Sequence, residues 1–256
     1  MSSPAPPPGP ILRMENVSKS FGGFLAVRNL TLEVQRGTIH ALIGPNGAGK
    51  TTVFNLVTKF HQPTNGRITY DGRDITRMSP SQIARLGMVR SFQISAVFGT
   101  MTALENVRIA LQRFRGDAFA FWKSDRALRE LDDKARALLA MVGIEDWANH
   151  RAAEMPYGRK RALELATTLA LEPEFLLLDE PMAGMGHEDV DRTAALIKRV
   201  AADRTVLMVE HNLSVVADLS DKITVLARGE ILAEGTYDEV SKDPAVVEAY
   251  VGSDDD

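Results

Sequence analysis

The stretch GPNGAGKT, residues 44–51, matches the pattern G-x-x-x-x-G-K-[ST] and decides the fold. The short apolar run TIHALI (38–43) precedes it and has the composition of a buried strand. A segment with apolar residues at helical spacing follows over 51–60. A glycine-rich loop between a strand and a helix predicts a phosphate site, because the loop amides and the helix N-terminus both attract an anion.

The residues of this loop have distinct predicted roles in phosphate binding. Lys50 can reach the terminal phosphates of a nucleotide, and the hydroxyl of Thr51 can ligate magnesium. The predicted cradle consists of Gly44, Asn46, Gly47, Ala48, Gly49, Lys50, Thr51 and Thr52. The alternative is a glycine-rich turn with a surface lysine, which the strand-loop-helix context disfavours.

An apolar run that ends in two carboxylates, FLLLDE (175–180), predicts a second part of the same site. Asp179, at the tip of the expected strand, would hold the magnesium from the protein side. Glu180 would point at the attacking water as the general base. An acidic pair after a strand is usually an ordinary loop, and only its combination with the phosphate loop favours the catalytic interpretation.

Two further polar residues follow strand-like runs. Gln93 follows GMVRSF (87–92), and His211 ends the run VLMVEH (206–211). Because parallel-sheet proteins bind ligands at the carboxyl ends of their strands, both are candidate site residues. A lone histidine is more often structural than catalytic, so the pattern alone leaves both interpretations open.

The composition indicates an ordinary globular chain of 256 residues, 45% hydrophobic, with 30 Lys+Arg, 34 Asp+Glu and a net charge of -4. That charge argues against a dedicated nucleic-acid binder, and the absence of cysteine excludes disulfides, Cys-zinc sites and a thiol nucleophile. No apolar stretch approaches the length of a transmembrane helix. Residues 1–10 are predicted to be a disordered proline-rich tail and residues 252–256 a solvated acidic tail, on a single domain over 11–251.

The remaining pattern predicts an α/β architecture. Strand signals dominate over 11–93 and return after 175, where they alternate with helical patterns, which implies a parallel sheet covered on both faces. Helix signals dominate between about 102 and 170, which indicates an inserted helical subdomain. One helix there should follow a serine cap at Ser124 and stop at Gly143, with an apolar face formed by Leu128, Leu131, Leu138 and Val142.

In order along the chain, GPNGAGKTT, Gln93, FLLLDEP and VEH resemble the ATP-binding subunits of ABC transporters, and the resemblance runs from about 12 to 251. It implies a P-loop NTPase cassette with a RecA-like parallel-sheet core, an N-terminal antiparallel β subdomain and an inserted α-helical subdomain. The core and β subdomain would span about 11–93 and 171–251, and the helical subdomain about 100–170. ATP and Mg²⁺ are the implied ligands.

The resemblance also implies roles for single residues. Gln93 would touch magnesium and sense the membrane partner, and His211 would contact the terminal phosphate. Glu180 would be the general base. The aromatic residue that stacks on adenine in the family matches Phe21, for which core packing is the alternative.

The position of the family's signature, L-S-G-G-Q, reads MPYGR (155–159), in which only Gly158 matches. Pro156, Tyr157 and Gly158 would face the ATP of a second subunit, yet Pro156 lacks the serine hydroxyl and Tyr157 replaces a glycine. The pattern P-Y-G-x-x-R followed by L-E-x-A resembles the LivG-type subunit of branched-chain amino acid uptake transporters, as does the C-terminal segment. Gly186 stands where many relatives carry an aspartate.

These resemblances predict an energy-coupling ATPase of an uptake transporter, most simply for branched-chain amino acids. Its partners would be a second ABC ATPase, with a heterodimer favoured, the transmembrane permease subunits and, indirectly, a solute-binding protein. No nucleic acid is expected. The chain would lie peripherally on the cytoplasmic face of a bacterial inner or plasma membrane, docked through a segment with Val97 and Phe98, for which core packing is the alternative.

Three other hypotheses remain open. A non-transport ABC-type ATPase acting on DNA or ribosomes would give the basic cluster 159–161 a phosphate to contact, but such proteins usually carry long coiled-coil arms or two fused cassettes. A small P-loop kinase or GTPase leaves Gln93, Glu180 and His211 unexplained. A pseudo-ATPase that only binds nucleotide would account for the altered signature at 156–157.

Overall fold

The computed structural model describes residues 9–91, 97–112 and 125–251. Gln93, Ser124, the acidic tail and most of the proline-rich tail lie outside the described residues. The chain divides into two compact units. One comprises residues 1–88, 174–180 and 200–256, and the other comprises 89–173 and 181–199.

The strands and helices follow one another in an order typical of an α/β protein. The strands are β1 (Leu12–Phe21), β2 (Phe24–Val34), β3 (Ile39–Ile43), β4 (Asn65–Tyr70), β5 (Arg73–Asp74), β6 (Met88–Ser91), β7 (Phe175–Asp179), β8 (Thr205–Val209), β9 (Lys222–Ala227) and β10 (Glu230–Gly235). The helices are α1 (Lys50–Val57), α2 (Pro80–Arg85), α3 (Ala103–Gln112), α4 (Asp125–Met141), α5 (Tyr157–Leu169), α6 (His187–Ala201), α7 (Leu213–Leu219), α8 (Tyr237–Val240) and α9 (Pro244–Val251).

An antiparallel sheet with the strand order β2-β1-β4-β5 forms from the N-terminal part of the first unit. The tight turn between β4 and β5 has Asp71 and Gly72 in left-handed conformations, with φ of +49° and +71°. Both values suit the two-residue turn of a β-hairpin, and Tyr70 pairs with Arg73 across it. Asp71 and Gly72 therefore close a β-hairpin between β4 and β5.

The second sheet has the strand order β10-β9-β3-β8-β7-β6 among the described residues. Its centre is parallel, because β3 pairs in parallel with both β8 and β9, and β7 pairs in parallel with β8. Every residue of β3, β7 and β8 is buried, as expected for strands that are covered on both faces. β10 returns antiparallel to β9. The predicted parallel-sheet core is confirmed.

A shared hydrophobic core holds the two sheets of this unit together. Val53, Phe54, Leu56 and Val57 on α1 are fully buried in one cluster with inward-facing residues of both sheets. At about 25 cal/mol per Å² of apolar surface, such burial is the main stabilising contribution to this unit. Because α1 begins at Lys50, the same packing fixes the helix that follows the phosphate loop.

The second unit is mainly helical, with α3, α4 and α5 in mutual contact. The end predicted for α4 is confirmed, since Gly143 follows the helix with φ of +72°. Its predicted apolar face is buried at Leu131 and Val142 and less completely at Leu138, and the side chain of Leu128 lies outside the described residues. Leu138 is only half-buried, whereas Ala135 and Leu139 are fully buried beside Leu131 and Val142. A shift of one residue turns a helix by about 100°, which is enough to change the buried leucine.

None of the helices in the described part of the chain is both long and apolar enough to cross a bilayer. The predicted boundaries, a single domain over 11–251 with a helical subdomain over about 100–170, remain a prediction.

Candidate functional site

The phosphate loop lies between the end of β3 and the start of α1, as the sequence predicts. Asn46 and Gly47 are exposed at its tip, whereas Gly44 and Ala48 are buried. Thr51 and Thr52 lie in the first turn of α1, with Thr51 exposed. The loop therefore presents its tip and the helix start outward while its base is anchored in the sheet.

Two glycines of the loop occupy positions that no other residue fits. Gly44 has φ of +145°, and a Cβ atom built on it would lie 2.1 Å from the carbonyl oxygen of Leu226. Gly49 has φ of +103°, and its Cβ would lie 2.7 Å from the carbonyl oxygen of Ala26. The backbones of β9 and β2 thus approach the loop so closely that only glycine is accommodated at both positions.

The turn between β9 and β10 is joined to the loop by backbone hydrogen bonds. The amide of Gly229 donates to the carbonyl of Ala48 at 3.0 Å, and the amide of Arg28 donates to the carbonyl of Gly229 at 2.8 Å. A Cβ atom on Gly229, which has φ of +84°, would also lie 2.7 Å from the carbonyl oxygen of Ala26. Two remote segments therefore hold the loop in shape.

The side chain of Lys50 folds along the inside of the loop. Its Nζ donates to the carbonyl oxygens of Gly44 at 2.6 Å and Pro45 at 2.9 Å, and the residue is buried. Burial lowers the pKa of the Lys50 ammonium, and the negative charge of Glu180 opposes that shift. The cation is thus held at the loop and interacts with the predicted general base.

The acidic pair lies at the carboxyl end of β7, one strand away from His211. Asp179 ends the strand and is buried. The amide of Glu180 donates to the carbonyl of Val209 at 2.9 Å, which joins the pair to the end of β8. Since β8 lies between β3 and β7, the phosphate loop, Asp179 and His211 all follow the carboxyl ends of neighbouring strands.

Glu180 and His211 are in direct contact, with Nε2 of the imidazole 2.7 Å from Oε1 of the carboxylate. Glu180 also has φ of +49°, a left-handed conformation that a residue with a side chain adopts at a cost on the order of 1 to 3 kcal/mol. Such conformations cluster at active sites, where the surrounding structure imposes them. The structure therefore brings Glu180 and His211 together, which are two of the three residues that the sequence predicts to be catalytic. The third, Lys50, interacts with Glu180 through its charge.

Glu210 orients His211 and was missed in the sequence. It is buried, and its Oε2 accepts hydrogen bonds from the amides of His211 at 2.9 Å and Asn212 at 3.3 Å. Asn212 in turn caps α7 by accepting from the amides of Ser214 and Val215. The string Glu-His-Asn at a strand end, followed by a helical pattern, is the signal that could have revealed this turn.

Tyr250 on α9 reaches the phosphate loop from the C-terminal end of the chain. Burial raises the pKa of its hydroxyl, and a hydrogen bond from the backbone of Gly44 opposes that shift. No motif marks this tyrosine, so sequence reasoning misses the contact.

Phe21 ends β1 and is 42% exposed, which contradicts the alternative of core packing. Its ring meets that of His61 edge-on, with centroids 5.1 Å apart, and Nζ of Lys19 lies 4.9 Å from the ring centroid. Its neighbour across the turn, Phe24, is even more exposed. An accessible aromatic face is what stacking on a base requires.

The altered signature belongs to the second unit. Pro156 is the N-cap of α5, and Tyr157 and Gly158 form its first turn. The three basic residues that follow all have partners within the chain: Arg159 donates to the carbonyl of Gly143, Lys160 to that of Ala153, and Arg161 to the carboxylate of Glu164. These contacts give the basic cluster a structural role within the second unit.

The residues present fit a magnesium ion that a nucleotide helps to hold. In the described ranges, no three His, Cys, Asp or Glu side chains group into a metal site of their own. Mg²⁺ is commonly held by one or two carboxylates together with substrate phosphates, so a protein contribution of Asp179 and the Thr51 hydroxyl is chemically sufficient. The phosphates held by the predicted cradle of residues 44–52 would supply the remaining ligands of the ion.

Known proteins are similar to this chain in both sequence and fold. The chain belongs to the ABC transporter family, whose sequence profile matches residues 27–183. A second profile, that of the branched-chain amino acid ATP-binding cassette transporter, matches residues 230–256. The chain is thus a transport ATPase with the cassette fold that the sequence predicts.

Individual proteins that are similar to this chain belong to the same family. The chain is 40% identical over 250 residues to the high-affinity branched-chain amino acid transport ATP-binding protein BraF of Pseudomonas aeruginosa, covering 95% of this chain and 98% of the relative. It is 39% identical over the same length and coverage to LivG of Salmonella typhimurium, which has the same description. A crystal structure of a nucleotide-free ATP-binding cassette from an ABC transporter matches with a TM-score of 0.82 and 30% identity, over 94% of this chain and 98% of that one.

Proposed function

We propose that the chain is the ATP-hydrolysing subunit of an uptake transporter for branched-chain amino acids. The observation that carries the proposal is the contact of Glu180 with His211 at the edge of the sheet that also bears the phosphate loop. The names of the relatives and the second family profile support the class of solute.

The proposed chemistry needs positioning and charge more than covalent steps. The loop amides and Lys50 bind the β- and γ-phosphates of ATP. Glu180 accepts the proton of the attacking water, and with Glu180 ionised the Nε2–H of His211 donates to its Oε1 and fixes its direction. His211 would also contact the terminal phosphate, and Phe21 would stack on the adenine.

Thr51 and Asp179 would hold a magnesium ion, together with Gln93, which lies outside the described residues. The ion neutralises charge on the phosphates when bound. The hydrogen bonds of Glu180 to His211 and to the carbonyl of Val209 then leave this residue little reorganisation during the reaction, which is the main electrostatic advantage of a preorganised site.

Membrane attachment is proposed to occur through permease subunits on the cytoplasmic face of a bacterial inner or plasma membrane. Phe98 is 55% exposed, which disfavours core packing for this residue. Its backbone is held by Asn106, whose Oδ1 accepts from the amide of Phe98 at 2.7 Å and whose Nδ2 donates to its carbonyl at 3.1 Å. A rigid loop that presents an aromatic ring is suited to docking. Solute specificity would come from the permease and a solute-binding protein.

The test of the function is uptake by the assembled transporter in vesicles. With ATP enclosed beside this subunit, radiolabelled leucine, isoleucine and valine should accumulate, whereas aspartate and lysine should not. Accumulation of another class of solute would contradict the proposed substrate. ATP hydrolysis without any transport would favour the alternative of a non-transport ABC-type ATPase.

We further propose that the second ATPase in the complex is a different chain. Pro156 supplies no hydroxyl for the partner's ATP, so a subunit with an intact L-S-G-G-Q would complete the site that contains Glu180. Purification of the complex through a tag on this chain should recover such a subunit in equal amount, as identified by mass spectrometry, and an untagged preparation is the control. Recovery of this chain as the sole ATPase would contradict the heterodimer.

A further inference from the structure

Tyr157 contacts the segment that follows Glu180 in the sequence, residues 181–186. Its hydroxyl donates to the carbonyl oxygen of Ala183 at 3.0 Å. A Cβ atom built on Gly184 would lie 3.6 Å from that hydroxyl and 3.7 Å from the nearest ring carbon, so the ring also lies against Gly184. A glycine at position 157, as in the L-S-G-G-Q pattern, could make neither contact.

Arg161 fixes the direction of this hydroxyl. Its Nε donates to the Tyr157 hydroxyl at 3.2 Å, and its guanidinium carbon lies 5.5 Å from the centroid of the Tyr157 ring. The guanidinium is itself held by Glu164 at 2.8 Å, with side-chain exposures of only 13% and 7%. Because the hydroxyl accepts from Arg161, its own proton is directed to Ala183, and the two bonds strengthen each other.

The start of α6, directly after the segment, is packed against the same turn of α5. A Cβ atom on Gly158 would lie 2.9 Å from Oδ2 of Asp189, so the absence of a side chain permits this approach. The amide of Asp189 donates to the carbonyl of Gly186 at 3.0 Å and starts α6. The first turn of α5 therefore contacts the chain both within the segment and directly after it.

We propose that Tyr157 is a positioning residue for Glu180, which it orients through the hydrogen bond to Ala183. The inference rests on the proposed role of Glu180 as the base. Ala183 lies three residues after Glu180, so the segment fixes the direction in which the chain leaves a residue with φ of +49°. Loss of the bond lets the segment move and lowers the fraction of time in which the carboxylate is aligned with the water.

The decisive variant is Tyr157→Phe in the assembled transporter, because it removes one oxygen and keeps the ring. We expect kcat for ATP to fall about three- to tenfold with KM unchanged, which is the loss of one hydrogen bond expressed in the transition state alone. Amide hydrogen exchange over 181–186 should become faster. Tyr237→Phe is the matched control, since within the described residues that hydroxyl makes no hydrogen bond, and it should change neither quantity.

A second variant, Arg161→Lys, retains a positive charge beside Glu164 but loses the Nε donor. It should change kcat and exchange in the same direction as Tyr157→Phe. An increase in KM with kcat unchanged would overturn the inference, because the hydroxyl would then bind nucleotide directly. Unchanged exchange over 181–186 would overturn it as well, whether or not the chain hydrolyses ATP. Absence of hydrolysis by the wild-type complex would instead overturn the proposed function.

Discussion

Glu180→Gln is expected to leave ATP bound while kcat falls by about 10²- to 10⁴-fold, the usual contribution of a general base. Glutamine has the same shape as glutamate and its side-chain oxygen can still accept from His211, which lies 2.7 Å from Oε1 in the wild-type chain. Only the ability to accept a proton is lost. ATP should therefore accumulate on a closed dimer, to be measured by phosphate release and by size-exclusion chromatography with ATP.

The control for this variant is a Glu→Gln substitution at another residue that has the same backbone conformation. Glu172 is exposed and has φ of +48°, within one degree of Glu180, so Glu172→Gln reproduces any effect of placing glutamine in the left-handed region. It should hydrolyse ATP at the wild-type rate. Wild-type turnover in Glu180→Gln would exclude Glu180 as the base and would assign that role to another group at the same edge of the sheet.

Lys50→Met is expected to abolish productive nucleotide binding. Methionine retains the buried apolar stem and removes the ammonium that contacts the loop carbonyls. Loss of one preorganised charge at the phosphates should lower kcat by at least about 10²- to 10³-fold. The ATP-induced increase in Tm should disappear, as measured by thermal unfolding with and without nucleotide.

The unliganded protein should respond differently to Lys50→Met. Burial lowers the pKa of Lys50, which means that the folded state disfavours its charged form. Relief of this cost opposes the loss of the hydrogen bonds to Gly44 and Pro45, so the Tm without ATP should change little. Lys242→Ala, which removes an exposed lysine between α8 and α9, is the control and should leave both Tm values unchanged. A wild-type ATP response in Lys50→Met would refute the assignment of the phosphate loop.

The phosphate loop could be predicted from sequence because its requirements are local. Gly44 and Gly49 satisfy left-handed or crowded positions that only glycine fits, and the strand and helix on either side have clear patterns. The buried strands β3, β7 and β8 were recognisable for a similar reason, since strands covered on both faces are apolar throughout.

Other features depend on contacts between residues far apart in the sequence. Tyr157 meets Ala183 only because α5 and the segment after Glu180 pack together, and no local pattern encodes such a pair. The left-handed conformation of Glu180 has no sequence signal, since it is imposed on a residue that does not favour it. The pattern of α4 predicts Leu138 and not the fully buried Leu139 for the apolar face, because it does not fix the rotation of the helix to one residue.

The approach of Gly229 to Ala26 has a genetic consequence. An unbiased collection of transport-null alleles should map not only to the codons of the phosphate loop but also to codon 229, which specifies a residue outside every nucleotide motif. Alleles there would behave like loop alleles, because any side chain at 229 displaces the Ala26 carbonyl against which Gly49 also rests. A suppressor of such an allele would then be sought in β2 and not among residues that contact ATP.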